Sequence, residues 1–546
     1  MRVCVVGAGV SGLPAIKACL EEGLEVVCYE RTADIGGLWN YRPDLPNYPN
    51  FMHHSLVMDY IRAYAKHFSL EQHVRLNTEV KTIHRNTEGN KWIVHLADGS
   101  EESFDRLMLC TGHHSIPQTP VFPGLANFKG RTLHAKEYRD YRGFEDKDVF
   151  LIGIGNSALD IAVELTKVAR SVTVSTRRGS WIFNRCAQGG MPYDIQFQSR
   201  RYQWWMKVLP WSVANDFMEH KLQQRMCHDL YGLRPNHRFF QQHPTVNDAL
   251  ANLLASGQIT VTEDVETTAA SPPDVIIFCT GYTFGFPYLQ PADVIPINNH
   301  DVDLYKFVFP VESSDVAVIG LIQPIGSVAP ISEMQSRWAA RVFAGRCELP
   351  TAVERQADID TKRAAMRRRY FRSNKHTLQV DYVPFMDELA ALIGCKPPLQ
   401  RVSSAAIHRK EGRRLQIVWE DFRFALRLFM GGNLPYVYRL VGPHAWDGAR
   451  RAIWNAPARV KFPLKNRRCR TRRHIRRGND EYFRYVSMKW IAGHSCLILT
   501  AGLWTFCSGA QGISAVAYFL YVGFFLLIFS FMLLWFDLQY DMSTIF

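Results

Sequence analysis

The sequence predicts an α/β fold: two Rossmann-like dinucleotide-binding domains, the first discontinuous and the second inserted into it, followed by a helical, membrane-anchoring tail. Three observations predict it. An apolar strand at Val3–Val6 runs into Gly7-Ala8-Gly9-Val10-Ser11-Gly12. A second at Val149–Ile152 runs into Gly153-Ile154-Gly155-Asn156-Ser157-Ala158. Finally, Ala515 to Phe536 carries no charged side chain. A chain of 546 residues is too long for one core. These landmarks divide it into 1–140, 141–271, 272–455, a basic linker at 456–490 and an anchor at 491–536.

In the first unit each glycine has a job. Gly7 permits the tight turn, Gly9 lets backbone approach a pyrophosphate, and Gly12 lets the helix pack against the strand. The helix is predicted from Leu13 to Glu22, stopping at Gly23, with its N–H groups aimed at the phosphates. The next strand, Glu25–Tyr29, delivers Glu30. A carboxylate there hydrogen-bonds ribose hydroxyls and repels a 2′-phosphate, which suits FAD or NAD. The turn Gly36-Gly37-Leu38-Trp39 follows at once and belongs beside a flavin diphosphate, so the first site is predicted to hold FAD through Gly7, Ala8, Gly9, Val10, Ser11, Gly12, Glu30, Gly37, Leu38 and Trp39.

The second unit repeats this logic with the opposite charge. A helix is predicted over Ser157–Ala169, with Ala158 in the third glycine position, and a strand over Ser171–Ser175 ends in Thr176-Arg177-Arg178. Two guanidinium groups at a strand end clamp a 2′-phosphate by paired, charge-assisted hydrogen bonds. The second site is therefore predicted to take NADPH, with Gly153, Gly155, Asn156, Ser157, Ala158, Leu159, Asp160, Arg177 and Arg178 around it. Two apolar strands, Leu107–Cys110 and Asp274–Cys279, end in Thr111-Gly112 and Thr280-Gly281, the pattern of chain crossings between two nucleotide domains.

Composition narrows the class further. The net charge of +13 invites a nucleic-acid reading, but ten of the excess positive charges lie between Arg459 and Arg477, where no acid occurs. The basicity is local and precedes the apolar tail, as expected of a cytosolic juxtamembrane segment facing anionic headgroups. As a helix, Ala515–Phe536 spans about 33 Å, enough for a ~30 Å hydrocarbon core. Ile491–Cys507 is a shorter apolar stretch weakened by His494. Met1-Arg2 leads directly into the first strand with no secretory leader, so the body is expected on the cytosolic side. The twelve cysteines show no zinc spacing. Cys110 with His113 and His114 reads as a strand-end turn, and no metal site is expected.

Between the two fingerprints stands Phe128-Lys129-Gly130-Arg131-Thr132-Leu133-His134-Ala135-Lys136-Glu137-Tyr138. This resembles the F-x-G-x-x-x-H-x-x-x-Y/F signature of the flavin-containing monooxygenases, with Phe128, Gly130, His134 and Tyr138 at the signature positions. Gly36-Gly37-Leu38-Trp39, Cys279-Thr280-Gly281-Tyr282, Gln335-Ser336-Arg337-Trp338 and Tyr438-Arg439-Leu440-Val441-Gly442-Pro443 are similar to other landmarks of that family. The resemblance implies a microsomal enzyme of the dimethylaniline monooxygenase type, on the endoplasmic reticulum membrane. NADPH would reduce FAD, O₂ would add to the flavin as a C4a-hydroperoxide, and a lipophilic amine or sulfide would take one oxygen atom. It makes His134 a link between domains rather than a base, and it points to no acid–base dyad.

The chain departs from the family in two places. Asn40–Tyr48 joins Trp39 directly to Pro49-Asn50-Phe51, where the family has a longer segment carrying an Asn beside the flavin. No residue here inherits that role, so no catalytic side chain is assigned. The stretch Thr260–Pro273 is also short. The first gap leaves other outcomes open: an NADPH oxidase releasing H₂O₂, an inactive membrane flavoprotein, or an enzyme of Baeyer–Villiger type, although Tyr138 stands where the last usually has Trp.

Overall fold

The computed structural model describes residues 1–37, 54–187, 192–263, 272–298, 301–370, 377–397 and 423–461. The chain forms two compact units, Met1–Asn455 and Ala456–Phe546, and the second is described only as far as Lys461. Among the described residues no helix is long and apolar enough to cross a membrane. The predicted anchor, most of the basic linker, Leu38, Trp39 and the shortened segment after them lie outside the described residues.

The first unit contains two parallel five-stranded sheets. In the first, the strands run Val316–Val318, Arg106–Leu109, Arg2–Val6, Glu25–Tyr29 and Val74–Arg75 in spatial order. Strand Arg2–Val6 is central, paired in parallel with Glu25–Tyr29 on one side and Arg106–Leu109 on the other. Its Val3, Cys4 and Val5 are fully buried, as expected of a parallel strand covered on both faces. The covering helix, Gly12–Glu21, packs its Leu13, Ala15 and Ile16 against the sheet and lies beside helix Val328–Phe343.

In the second sheet the order is Thr260–Thr262, Ser171–Ser175, Asp148–Ile152, Val275–Phe278 and Arg131–His134, again all parallel. Helix Asn156–Leu165 covers it, with Leu159, Ala162 and Leu165 buried against Leu151 and Val174. The sheet takes one strand from each side of the 141–271 stretch, because Arg131–His134 and Val275–Phe278 both pair into it. The first sheet in turn receives Val316–Val318, a strand that follows the second sheet in the sequence. The interrupted order of the two Rossmann-like sheets is thus present in the strand pairing.

Two local expectations need correction. The second helix ends at Leu165 rather than Ala169. The amides of Val168 and Ala169 turn back onto the Leu165 carbonyl and the Thr166 hydroxyl onto the Val163 carbonyl, which closes the helix before the β-branched Val168. Its start lies at Asn156, one residue earlier than expected, and the first helix spans Gly12–Glu21 rather than Leu13–Glu22.

An arm between strands Ser171–Ser175 and Thr260–Thr262, with helices Arg200–Val208 and Trp211–Arg225, reaches helix Tyr382–Ile393. Arg200 forms a two-pronged ion pair with Asp387 on helix Tyr382–Ile393, and Asp387 also accepts the Tyr438 hydroxyl at 2.8 Å.

Candidate functional site

The first fingerprint folds as its glycines require. Gly7 has φ +99°, a left-handed turn that disfavours any side chain, and its amide donates to the Tyr29 carbonyl at 2.8 Å. A Cβ at Gly12 would sit on the Gly7 carbonyl oxygen, so only glycine lets the helix start this close to the strand. The Gly36-Gly37 turn folds back over the loop: the Gly36 amide donates to the Ala8 carbonyl at 2.9 Å, and a Cβ at Gly37 would lie 3.3 Å from the Gly9 Cα. Ala8 is buried, Val10 is half-buried against the core, and Ser11 pairs its hydroxyl with that of Ser332 at 3.0 Å.

Glu30 is buried at the end of strand Glu25–Tyr29. One carboxylate oxygen accepts the Ala8 amide at 2.9 Å, and the other accepts the Thr32 amide and hydroxyl at 3.0 and 2.8 Å. The loop itself therefore orients the acid, and the oxygen that accepts from Ala8 keeps a lone pair for a ribose hydroxyl. The glycine spacing, the helix start and an oriented acid fit the adenosine diphosphate half of FAD.

The second fingerprint is more open. Gly153 turns with φ +114°, and nothing lies within 4 Å of a Cβ built on Gly155. Gly155, Asn156 and Ser157 are exposed, which leaves backbone free to meet a pyrophosphate. Asn156 uses its side-chain oxygen to accept the Val246 amide at 2.8 Å. Ala158 and Leu159 are fully buried, so their side chains serve the helix–sheet contact rather than a ligand, while Asp160 is exposed and ion-paired to Arg185 at 2.7 Å. Arg177 and Arg178 both lie exposed in the turn after Ser171–Ser175. That turn is fixed by the Gly179 amide donating to the Thr176 hydroxyl at 3.1 Å. The open backbone and the paired cations at the strand end fit NADPH.

The signature segment stands between the two sheets. Phe128 folds its ring against Gly130, where a Cβ would strike both that ring and the Asp274 carbonyl. His134 ends the edge strand of the second sheet. Its Nδ1 accepts the Lys136 amide at 3.1 Å, which leaves the proton on Nε2 to donate to the Gly281 carbonyl at 3.1 Å. Burial lowers its pKa, so the neutral ring ties the signature to the second crossing, as expected of a link and not of a base. Tyr138 donates to Glu164 at 3.0 Å, and burial raises its pKa. The two crossings meet as a short antiparallel pair, Ile116–Pro117 against Tyr282–Thr283. The Gln118 amide bonds the Gly281 carbonyl at 3.0 Å, and Lys136 Nζ donates to the Ser115 carbonyl at 2.6 Å.

Sequence reasoning gave no role to the later landmarks; the structure does. Gln335 accepts the Gly320 amide at 2.9 Å, just past strand Val316–Val318. Arg337 is buried and donates to the carbonyls of Tyr438 and Pro443 at 3.1 and 3.0 Å, so it joins two landmarks far apart in sequence. Only the third dimension shows this, since nothing local in either segment names the other. The Cys110 thiol is held well above its ordinary pKa, chiefly by burial. Among the described residues no His, Cys, Asp and Glu grouping suits a metal.

The family model for flavin-binding monooxygenase-like proteins matches this chain in two parts, 1–47 and 42–488, which meet in the shortened stretch after Trp39. Flavin-containing monooxygenase 5 of Homo sapiens is 40% identical over 515 residues, covering 85% of this chain and 93% of that protein. Dimethylaniline monooxygenase [N-oxide-forming] 2 of Macaca mulatta is 38% identical over the same shares. Among solved structures, open cyclohexanone monooxygenase superposes with a TM-score of 0.55 at 17% identity, over 72% of this chain and 97% of that one, a likeness of fold. With FAD and NADPH as its cofactors, the chain belongs to the flavin-binding monooxygenase-like family and is an NADPH-dependent flavoprotein monooxygenase.

Proposed function

We propose that this monooxygenase transfers one oxygen atom of O₂ to soft nitrogen or sulfur centres of small lipophilic molecules. One observation carries the reading: the strand after the first fingerprint ends in a buried, loop-oriented carboxylate, and the strand after the second ends in two exposed guanidinium groups. Glu30 would hold the FAD ribose, and Arg177 with Arg178 the 2′-phosphate of NADPH, so each dinucleotide has one place. The flavin supplies the redox and oxygen chemistry when bound. The chain's part is to bind, orient and exclude water. The two helix starts carry the diphosphates, His134 and Lys136 hold the crossings together, and the neutral Nε2–H of His134 stays committed to Gly281. The N-oxide-forming relative supports an amine nitrogen as one target.

The body would comprise an FAD-binding part before and after an inserted NADPH-binding part, whose sheet runs from Arg131 to Phe278. The charge-free Ala515–Phe536, behind the basic run from Arg459 to Arg477, would anchor it in the endoplasmic reticulum membrane with the body facing the cytosol. Alkaline carbonate is expected to leave the full-length protein in the membrane pellet and to release a chain ending at Ala456. Release of both would refute the anchor.

Coupling is the direct test of the reaction. With a methyl sulfide or a tertiary amine, product is expected to match NADPH consumed, with H₂O₂ a minor species. Peroxide equal to NADPH consumed would make the chain an oxidase instead, and a purified protein without flavin absorbance would make it an inactive flavoprotein. Lactone formed from a ketone in preference to N- or S-oxide would favour the Baeyer–Villiger class.

A further inference from the structure

His113 and His114 follow the first crossing and have no part in the reaction described above. Their rings lie 4.0 Å apart between centroids, and His114 lies 5.0 Å from the Tyr282 ring on the second crossing. Tyr282 in turn meets His134 edge-on at 5.1 Å. At the other end, the His113 ring comes up against the backbone of Gly320. Gly320 is pressed against Ser11 of the first fingerprint, where an added Cβ would strike the Ser11 hydroxyl. A continuous row of groups thus runs from the first fingerprint through Gly320, His113, His114 and Tyr282 to the edge strand of the second sheet. It crosses the junction at the carboxyl ends of both sets of strands, where open α/β sheets bind their ligands.

Two imidazoles this close must not both be charged. Burial holds His113 near a pKa of about 4, with His114 adding to the effect; His114 keeps an exposed side, and the crowding on its other side lowers it as well. Both rings are neutral at physiological pH, so they meet without charge repulsion. The backbone ladder Ile116–Pro117 with Tyr282–Thr283 is only two residues long on each side, too short to fix a distance alone.

We propose that His114, in ring contact with His113 and Tyr282, is a positioning residue that sets the separation of the FAD and NADPH sites and thereby the rate of flavin reduction. The proposal rests on the assignment of the two cofactors to the two fingerprints. Hydride transfer needs reacting atoms within about 3–3.5 Å, and a displacement near 1 Å costs up to ~100-fold. A ring removed from the row is on that scale.

The test uses the full-length protein in detergent as wild type, His114→Ala, His114→Phe and Tyr282→Leu. Reduction of bound FAD by NADPH is followed anaerobically in a stopped-flow instrument, and the flavin-stripped proteins are unfolded by differential scanning calorimetry. In His114→Ala the limiting reduction rate is expected to fall at least about tenfold with half-saturating NADPH little changed, as loss of alignment rather than of binding requires. Its calorimetric transition is expected to split in two as the sheets uncouple. His114→Phe, which keeps a ring, restores both readings, and Tyr282→Leu reproduces the alanine variant. An unchanged rate in His114→Ala overturns the proposal, as does a His114→Phe protein as slow as His114→Ala. Should His114→Ala lose its flavin, the calorimetry decides alone: one unsplit transition overturns the positioning role. A wild-type protein that NADPH does not reduce refutes the cofactor assignment instead, and the calorimetric comparison still judges the positioning role.

Discussion

Replacing Gly12 with Val is expected to yield a protein without bound flavin. The added Cβ falls 1.8 Å from the Gly7 carbonyl oxygen, a backbone atom that no side-chain rotation can clear. The helix must lift from strand Arg2–Val6, and overpacking of this kind costs about 1–3 kcal/mol or more. Lifting it also moves the helix start away from the diphosphate. Absorbance near the flavin band, measured on the purified protein, reads the outcome directly; full flavin content with unchanged thermal stability would refute the geometry. Gly155→Ala is the matched control. Its Cβ enters open space, and the backbone there has φ −74°, which alanine adopts without strain. That variant is expected to fold and hold FAD normally, and to show a raised KM for NADPH because the methyl occupies the pyrophosphate's approach.

The second large effect concerns the choice of nicotinamide cofactor. With Arg177 and Arg178 both replaced by Ala, kcat/KM for NADPH is expected to fall about 100-fold or more, since hydrogen bonds to a charged group contribute about 1.5–3 kcal/mol each. The value for NADH, which has no 2′-phosphate, is expected to change less than about threefold. Both arginines are exposed and the turn that carries them is fixed by Thr176 and Gly179, so folding is expected to be unaffected. Equal losses with the two nucleotides would show that these side chains support the turn or the general field instead. A rise in salt concentration should also weaken NADPH more than NADH binding in the wild type, because an exposed ionic clamp is screened.

Much of this architecture was legible because the deciding signals are local. Strand Glu25–Tyr29 and strand Ser171–Ser175 have the expected bounds, since a run of strand-favouring residues ends in each case at a charged turn. The role of Gly12 followed from residue spacing, as did the sign of charge at Glu30 and Arg177. What escaped was non-local. Nothing within Arg131–His134 announces that it pairs with Val275–Phe278, and nothing near Arg200 announces Asp387. Arg337 was noticed only as part of a landmark; its function as a clamp on two carbonyls needs the fold. His113 and His114 were read as turn residues, correctly for the backbone, and their ring contacts depend on Tyr282, far along the chain. Leu159, named with the ligand site because it follows the fingerprint in sequence, puts its side chain in the core.

The pairing of Val316–Val318 with Leu107–Leu109 has a consequence for biosynthesis. Every strand of the second sheet leaves the ribosome before Val316 does, so a nascent chain can complete that sheet while the first still exposes one edge of Arg106–Leu109. Such an edge invites wrong partners during translation. The interval closes only when Val316–Val318 emerges, so the edge of Arg106–Leu109 stays open throughout synthesis of the stretch from Phe278 to Val318.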